Sequence, residues 1–360
     1  MILFWCSILL VFLFIVPFVP GIRVLRNKID AAPLSVNMDY CKDPRYFALS
    51  FKRILSDQLK DCRITGFYKL QLSKQETVQI ADDFAAEEAR NAVIGHICCV
   101  KNHFASGNGS VFEKEIYVRG AANIGEKTSL RALACDGDVH VQRGVNIIRW
   151  LDAEGDITIE EECRLGISAT CGKTLSLARN CSFKRLYGLP VVTAGSPVPA
   201  GGERGQADGQ AAEREVAAAL QRRVRAWSCE DSPSPEGAIE RDISRIPPHS
   251  RKDCSIITAH SLTIGDDSLI RGHVKTYGNL SIGTGVTVTG HLFAEGDIHI
   301  GRDSRIAGIV FAHGSIICED GVSVGSPGRI RSVIGQKGIV LRDRTTIYGY
   351  IMTEGRGAVV

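Results

Sequence analysis

The sequence predicts an all-β chain wound as a triangular β-helix in two coil blocks, preceded by an apolar membrane helix and a small α+β module. Two periodicities carry this expectation. Between residues 256 and 324 small or aliphatic residues recur in pairs two apart, and each pair starts six residues after the last. The pairs are Leu262 with Ile264, Val274 with Thr276, Leu280 with Ile282, Val286 with Val288, Leu292 with Ala294, Ile298 with Ile300, Val310 with Ala312, Ile316 with Cys318 and Val322 with Val324. Alternation over three residues puts both members of a pair on one side of a very short strand. Only Ser268 and Ser304 break the apolar series. Six residues leave no room for a helix between strands, so the chain turns a corner after each one, always in the same sense. The second period is eighteen: Gly278-Asn279-Leu280, Gly296-Asp297-Ile298 and Gly314-Ser315-Ile316 mark one kind of corner that returns once per three faces. Stacked coils of this kind pair their strands in parallel about 4.8 Å apart. A β-sandwich would need strands of about five or six residues with turns every 8 to 12.

The N-terminal element is a membrane segment. Ile2 to Ile22 carry no charge, and Ile2, Leu3, Phe4, Trp5, Leu10, Phe12, Phe14 and Ile15 are its anchor residues within an anchor spanning 1–25. Arg23, Arg26 and Lys28 follow at once, so the positive-inside rule keeps the rest of the chain cytoplasmic. Only about fifteen residues precede Pro17, roughly 22 Å of helix against a hydrocarbon core of about 30 Å, which leaves a shallow or kinked insertion as the alternative to a full span. A cleaved signal peptide is disfavoured, because there is no charged n-region and no small-residue cleavage site after the apolar run.

Residues 26–130 read as a module that caps the first coils, with a partner-binding domain as the alternative. Asp43 with Pro44 starts a helix running to about residue 60, with Phe47, Phe51, Ile54, Leu55 and Leu59 as its apolar side. Beyond it, Leu70, Leu72, Val78 and Ile80 alternate like a hairpin, while Ser73 and Glu76 fit a capping box for a helix through Ala89; both readings stand. Gly107-Asn108-Gly109 separates two strands, around Ile94 to Phe104 and Val111 to Val118.

The first coil block, 131–190, repeats the beat in its own register. Leu133 with Cys135, Val139 with Val141, Val145 with Ile147, Leu151 with Ala153 and Ile157 with Ile159 lead on to Tyr187 with Leu189. Gly137-Asp138-Val139 and Gly155-Asp156-Ile157 mark its corner. Residues 191–250 then turn to Pro, Gly, Ala and mixed charge, as a linker or a loop thrown out from a continuous coil. Within it, Ala212 to Trp227 form a candidate helix with Val216, Leu220, Val224 and Trp227 on one side. The second block, 251–355, resumes after a register break at Ser326 to Gly338 with Ile339, Leu341, Ile347 and Ile351. A coil stack leaves an open apolar cross-section and unpaired strand edges at its ends, which are either capped or paired with another end. Those four residues are therefore the candidate assembly interface.

The recurrent Gly-Asp/Asn-Ile/Leu-x-Ile corner, the eighteen-residue coil and the membrane-directed N-terminus together resemble the bactofilins, polymer-forming cytoskeletal proteins of bacteria. The resemblance covers about 133 to 189 and 256 to 353. It implies a right-handed β-helix whose ends meet to build filaments without a nucleotide, at the bacterial inner membrane, as a scaffold for cell-wall or envelope proteins. This chain departs from that pattern in having two coil blocks and a sizeable region before the first.

The chemistry-bearing residues point the same way. A net charge of +3 with basic and acidic residues interleaved excludes a nucleic-acid footprint. Five cysteines, Cys135, Cys163, Cys171, Cys181 and Cys318, take inward slots and read as small core residues. Cys163 and Cys181 are one coil apart, within reach of a disulfide, yet free thiols are expected in a reducing cytoplasm. Cys98-Cys99 between His96 and His103 lacks the paired Cys-x-x-Cys of a metal site. No catalytic, cofactor or metal residue is assigned. Two alternatives are weighed against the self-assembling scaffold. One is a monomeric membrane-bound adaptor. The other is a hexapeptide-repeat acyltransferase, for which His273 and His291, one coil apart in an outward column, would supply the general base.

Overall fold

The computed structural model describes residues 44–59, 68–71, 76–85, 90–196 and 239–360, together with Val16. The chain divides into two compact units, Met1–Met38 and Asp39–Val360, and all that follows concerns the second. The expected membrane anchor and the expected helix 212–227 lie outside the described residues. Among those described, no helix is long and apolar enough to cross a membrane.

The second unit is a β-solenoid of about 13 turns with one docked helix, Tyr46–Leu59. In the second block each coil lays one short strand on each of three faces, and each strand pairs in parallel with the strand eighteen residues on. Leu262, Leu280, Ile298 and Ile316 form one inward column in this way, and Val274, Leu292 and Val310 another. The first block is built alike, with Leu133, Leu151 and Ala169 in register. All of these side chains are buried, and one continuous core runs from Phe84 through both blocks to Val359.

The coils begin earlier than the beat suggests. Thr77–Ala81 pairs in parallel with Ile97–Val100, and that strand with Val111–Val118, so the expected 26–130 cap module is itself solenoid from Thr77 onward and the first block is not confined to 131–190. Its register explains why it escaped notice. Val78 pairs with Ile97 and Phe84 with Phe104, steps longer than eighteen, and a bulge after Phe112 shifts the next. The Ile94–Phe104 stretch is accordingly cut by corners into three strands, Val93–Ile94, Ile97–Val100 and His103–Ala105. Tyr68–Gln71 pairs antiparallel with Thr77–Ala81, which decides for the hairpin over the helix. Likewise Ser182–Thr193 extends the first block to residue 193, and Ile239–Arg241 opens the second, well before residue 251.

The two blocks meet end to end, tail to tail. The last turn of the first block, Ser182–Thr193, pairs antiparallel with the last turn of the second, Thr346–Val359, on all three faces: Ser182 with Ala358, Leu186 with Ile351 and Val191 with Ile347. Each face therefore continues across the junction as one wall. Wall I joins the Leu186 and Ile351 faces, wall II the Val191 and Ile347 faces, and wall III the Ser182 and Ala358 faces. The first block visits its walls in the order I, II, III and the second in the order I, III, II. Because the blocks rise in opposite directions, that reversal gives them the same hand.

Candidate interaction surface

The glycine-containing corner owes its residue choice to a ladder. The Asp or Asn side chain of one coil accepts the backbone N–H of its counterpart in the next: Asp297 N donates to Asn279 Oδ1 at 2.9 Å, and Ser315 N to Asp297 Oδ1 at 2.7 Å. In the first block Asp156 N donates to Asp138 Oδ1 at 2.9 Å. The accepting oxygen sits where the next coil's glycine would carry a Cβ, 2.0 Å from that point at Gly296 and 2.1 Å at Gly155. The motif thus satisfies backbone donors at a corner where no strand ladder can.

The histidine column is a second ladder of the same kind. His273 and His291 stack with ring centroids 4.8 Å apart. His291 N donates to His273 Nδ1 at 3.0 Å and Ile309 N to His291 Nδ1 at 2.9 Å. Both Nδ1 atoms are occupied as acceptors, which fixes the proton on Nε2 of the neutral rings. Burial holds both rings below the ordinary histidine value.

The cysteines fill the lumen. Cys135, Cys163, Cys171, Cys181 and Cys318 are all buried free thiols, and burial pushes Cys318 up to about 12. Cys163 Sγ donates to Gln142 O at 3.2 Å and Cys181 Sγ to Glu160 O at 3.1 Å, and the proximity of the two thiols lowers the first and raises the second. Cys98 points into the lumen and Cys99 lies in the separate cluster under the helix.

Wall I differs most from its sequence expectation. Along the first block it is covered by the helix Tyr46–Leu59, whose Ala48, Phe51 and Leu55 pack on Val78, Ile80, Ile97, Cys99, Tyr117 and Trp150. Phe51 meets Trp150 edge-on at 5.7 Å. The expected apolar side is therefore rotated: Phe47 and Ile54 are 52% and 58% exposed. Charge sets the rotation. Arg45 grips Asp152 with two bonds, Nε to Oδ1 at 2.7 Å and Nη2 to Oδ2 at 2.8 Å, and its Nη1 donates to Glu154 at 2.9 Å. Lys52 reaches Asp136 at 2.9 Å and Glu154 at 3.1 Å. Asp152 is 1% exposed and also accepts from Thr170 Oγ1 at 2.7 Å, so a buried charge is fully paired. Arg45, then Lys52, hold Glu154 down at about 2. None of these charged contacts was foreseen; Asp152 occupies an outward slot between Leu151 and Ala153, and only its burial distinguishes it from a solvated one.

Along the second block wall I carries no described cover. Its outward column runs Ile257, Lys275, Phe293, Phe311, Ile334 and Met352 in successive coils. All six are half-buried. Phe293 and Phe311 stack nearly parallel at 5.5 Å, His313 sets its edge against both, and Lys275 Nζ lies 5.6 Å from the Phe293 ring. The signal in the sequence is two aromatics, Phe293 and Phe311, one coil apart in the same outward slot.

The two outer ends are closed differently. At the first block, Tyr68–Gln71 lies across the leading strand and Phe84, Phe104 and Phe112 plug the lumen, with centroids 5.0 to 6.1 Å apart. At the second, Ile239–Arg241, Arg245–Ile246 and Arg251–Lys252 pair with the following coil only, among the described residues. That edge carries Pro247-Pro248 and the charges of Glu240, Arg241, Asp242, Arg245, Arg251 and Lys252.

Ile339, Leu341, Ile347 and Ile351 are fully buried. Ile347 and Ile351 face Val191 and Leu186 of the chain's own first block, so the coil end expected to contact another copy is an internal junction. Among the described residues an open groove of about 540 Å³ runs along wall III beside Thr263, Ser281 and His299. Comparison with known protein families, with curated proteins and with solved structures finds no match.

Proposed function

We propose that this chain is a bactofilin-like, non-enzymatic scaffold rod, held at the bacterial inner membrane by its N-terminal apolar segment and acting as a discrete adaptor for cell-wall or envelope proteins along its sides. The observation that carries this reading is the tail-to-tail junction. Three antiparallel strand pairings that would otherwise join one copy to the next are made within a single chain. What is left at the rod's ends resists pairing: at one, three phenylalanines close the apolar cross-section, and at the other Pro247-Pro248 among charges blunts the sheet edge. The non-enzymatic reading rests on His273 and His291, whose Nδ1 atoms are committed to backbone donors.

Electron microscopy of the full chain, purified in detergent without nucleotide, tests it. Discrete rods near 60 Å long, about 13 turns at 4.8 Å each, are expected. Filaments would overturn the adaptor in favour of the self-assembling scaffold. That second reading is favoured by one observation: among the described residues, Ile239–Arg241, Arg245–Ile246 and Arg251–Lys252 pair on one side only.

A further inference from the structure

We infer that the outward stripe of wall I on the second block, which no described helix covers, is the docking surface for the chain's own connecting segment, residues 212–227, as the corresponding wall of the first block is for Tyr46–Leu59. The inference goes beyond the scaffold reading and does not depend on it.

The ends of the connection supply the first argument. The chain leaves the first block at the junction, where Ser196 Oγ donates to Thr345 O at 3.2 Å. It re-enters at Ile239, which pairs with Ser255 on wall I in the outermost coil of the second block. The two described ends of the connection thus stand the length of the second block apart, and the second end lies on the wall that carries the stripe. Length supplies the second. From Ile257 to Met352 the stripe crosses five coil steps, about 24 Å at 4.8 Å per step. A helix over Ala212 to Trp227 is also about 24 Å long. Roughly fifteen residues before it and eleven after it reach about 50 and 36 Å when extended, enough for both connections without doubling back.

Chemistry supplies the third. Val216, Leu220, Val224 and Trp227 recur at helical spacing on one side of the segment. The stripe offers Phe293, Phe311, Ile334 and Met352 as a partly exposed apolar row, and solvated sheet faces rarely carry such a row uncovered. On the first block the same wall takes a helix through a comparable aromatic and aliphatic surface, with Trp150 and Tyr117 under Phe51 and Leu55.

Trypsin reads the docking directly in the full chain, because Arg222, Arg223 and Arg225 lie within the segment. The native chain is expected to be cut there at least about tenfold more slowly than a chain carrying both Phe293→Asp and Phe311→Asp, since cleavage follows the population of the undocked segment. Leu220→Asp, which leaves the wall intact, is expected to give the same acceleration and guards against a misfolded wall variant. Equal cleavage in all three chains would overturn the inference. A photoreactive phenylalanine analogue at position 311 is expected to cross-link within one chain to a peptide from 212–227. A cross-link between two copies, or to no part of that segment, would overturn it as well.

Discussion

Wall I of the first block and wall I of the second are one continuous sheet, yet one lies under a helix and the other carries a ladder of its own aromatics. Their inward faces are alike: the same small and aliphatic columns, the same parallel register, the same corner ladder closed by Asp or Asn against a glycine. Their outward slots differ. The first block offers Tyr117, Asp152 and Trp150, a mixture of apolar surface and one buried charge that a helix with Arg45 and Lys52 can satisfy. The second offers Phe293 and Phe311 stacked on each other, with Lys275 set against the Phe293 ring. In a solenoid the inward slots make the coil, and what a wall binds is written in the residues between them.

The continuity of the wall is the first thing to break. Ile347→Glu places an unpaired carboxylate in the fully buried junction and is expected to cost more than about 4 kcal/mol, with the two blocks unfolding as separate transitions in urea instead of one. A single transition at unchanged midpoint would mean the blocks are not coupled through this contact.

Removing the charge that holds the helix comes next in size. Asp152→Ala leaves Arg45 and Lys52 half-paired and is expected to cost about 3 kcal/mol, the low end for a broken buried pair because Glu154 remains. Hydrogen exchange should quicken across Tyr46–Leu59 and stay slow in the second block. Uniform quickening would show that the helix and the coils are one cooperative unit.

Corner substitutions sharpen the likeness instead of the difference. Gly155→Ala and Gly296→Ala each put a Cβ about 2 Å from a ladder oxygen, and each is expected to cost roughly 2 kcal/mol by thermal melting. Markedly unequal losses would mean that the two blocks do not rely on the corner equally.

The smallest expected effect is in pH. His273 and His291 are held below their ordinary 6.5 in the folded chain, so as pH falls below that value the unfolded chain takes up protons that the folded rings refuse. Their share of stability is complete above pH 6.5 and is lost as pH falls toward the folded values. Glu154, lowered from 4.5 to about 2, contributes stability that is intact above 4.5 and is lost only below it. Between pH 6.5 and 4.5, segment-resolved hydrogen exchange should therefore show the coils at His273 and His291, and the one at His96, which burial also lowers, loosening while the Arg45 and Lys52 contacts to Glu154 hold. Loosening of the dock first would reverse the assignment.

Much of this architecture is legible in the local sequence. The inward columns from Leu133 to Leu177 and from Leu262 to Val324, the corner at Gly296-Asp297, the helix at residues 46–59 and the inward cysteines all lie where local pattern puts them. The coils before residue 130 were missed because longer steps at Ile97 and Phe104 and a bulge after Phe112 blur an eighteen-residue period that a strict repeat needs. The helix side was misread because Phe47 and Ile54 look as apolar as Ala48 and Leu55, and nothing near them in the chain announces Asp152.

The sequence by itself determined the coil: alternation fixes which side chains face the lumen, and a repeat of eighteen fixes how often the same corner recurs, because both depend on neighbours a few residues away or one turn away. Only the tertiary structure decided where the coil ends go and which way the helix turns. Those depend on pairs more than a hundred residues apart, Leu186 with Ile351 and Arg45 with Asp152, whose meeting is set by three-dimensional closure and leaves no periodic trace in either partner's local sequence.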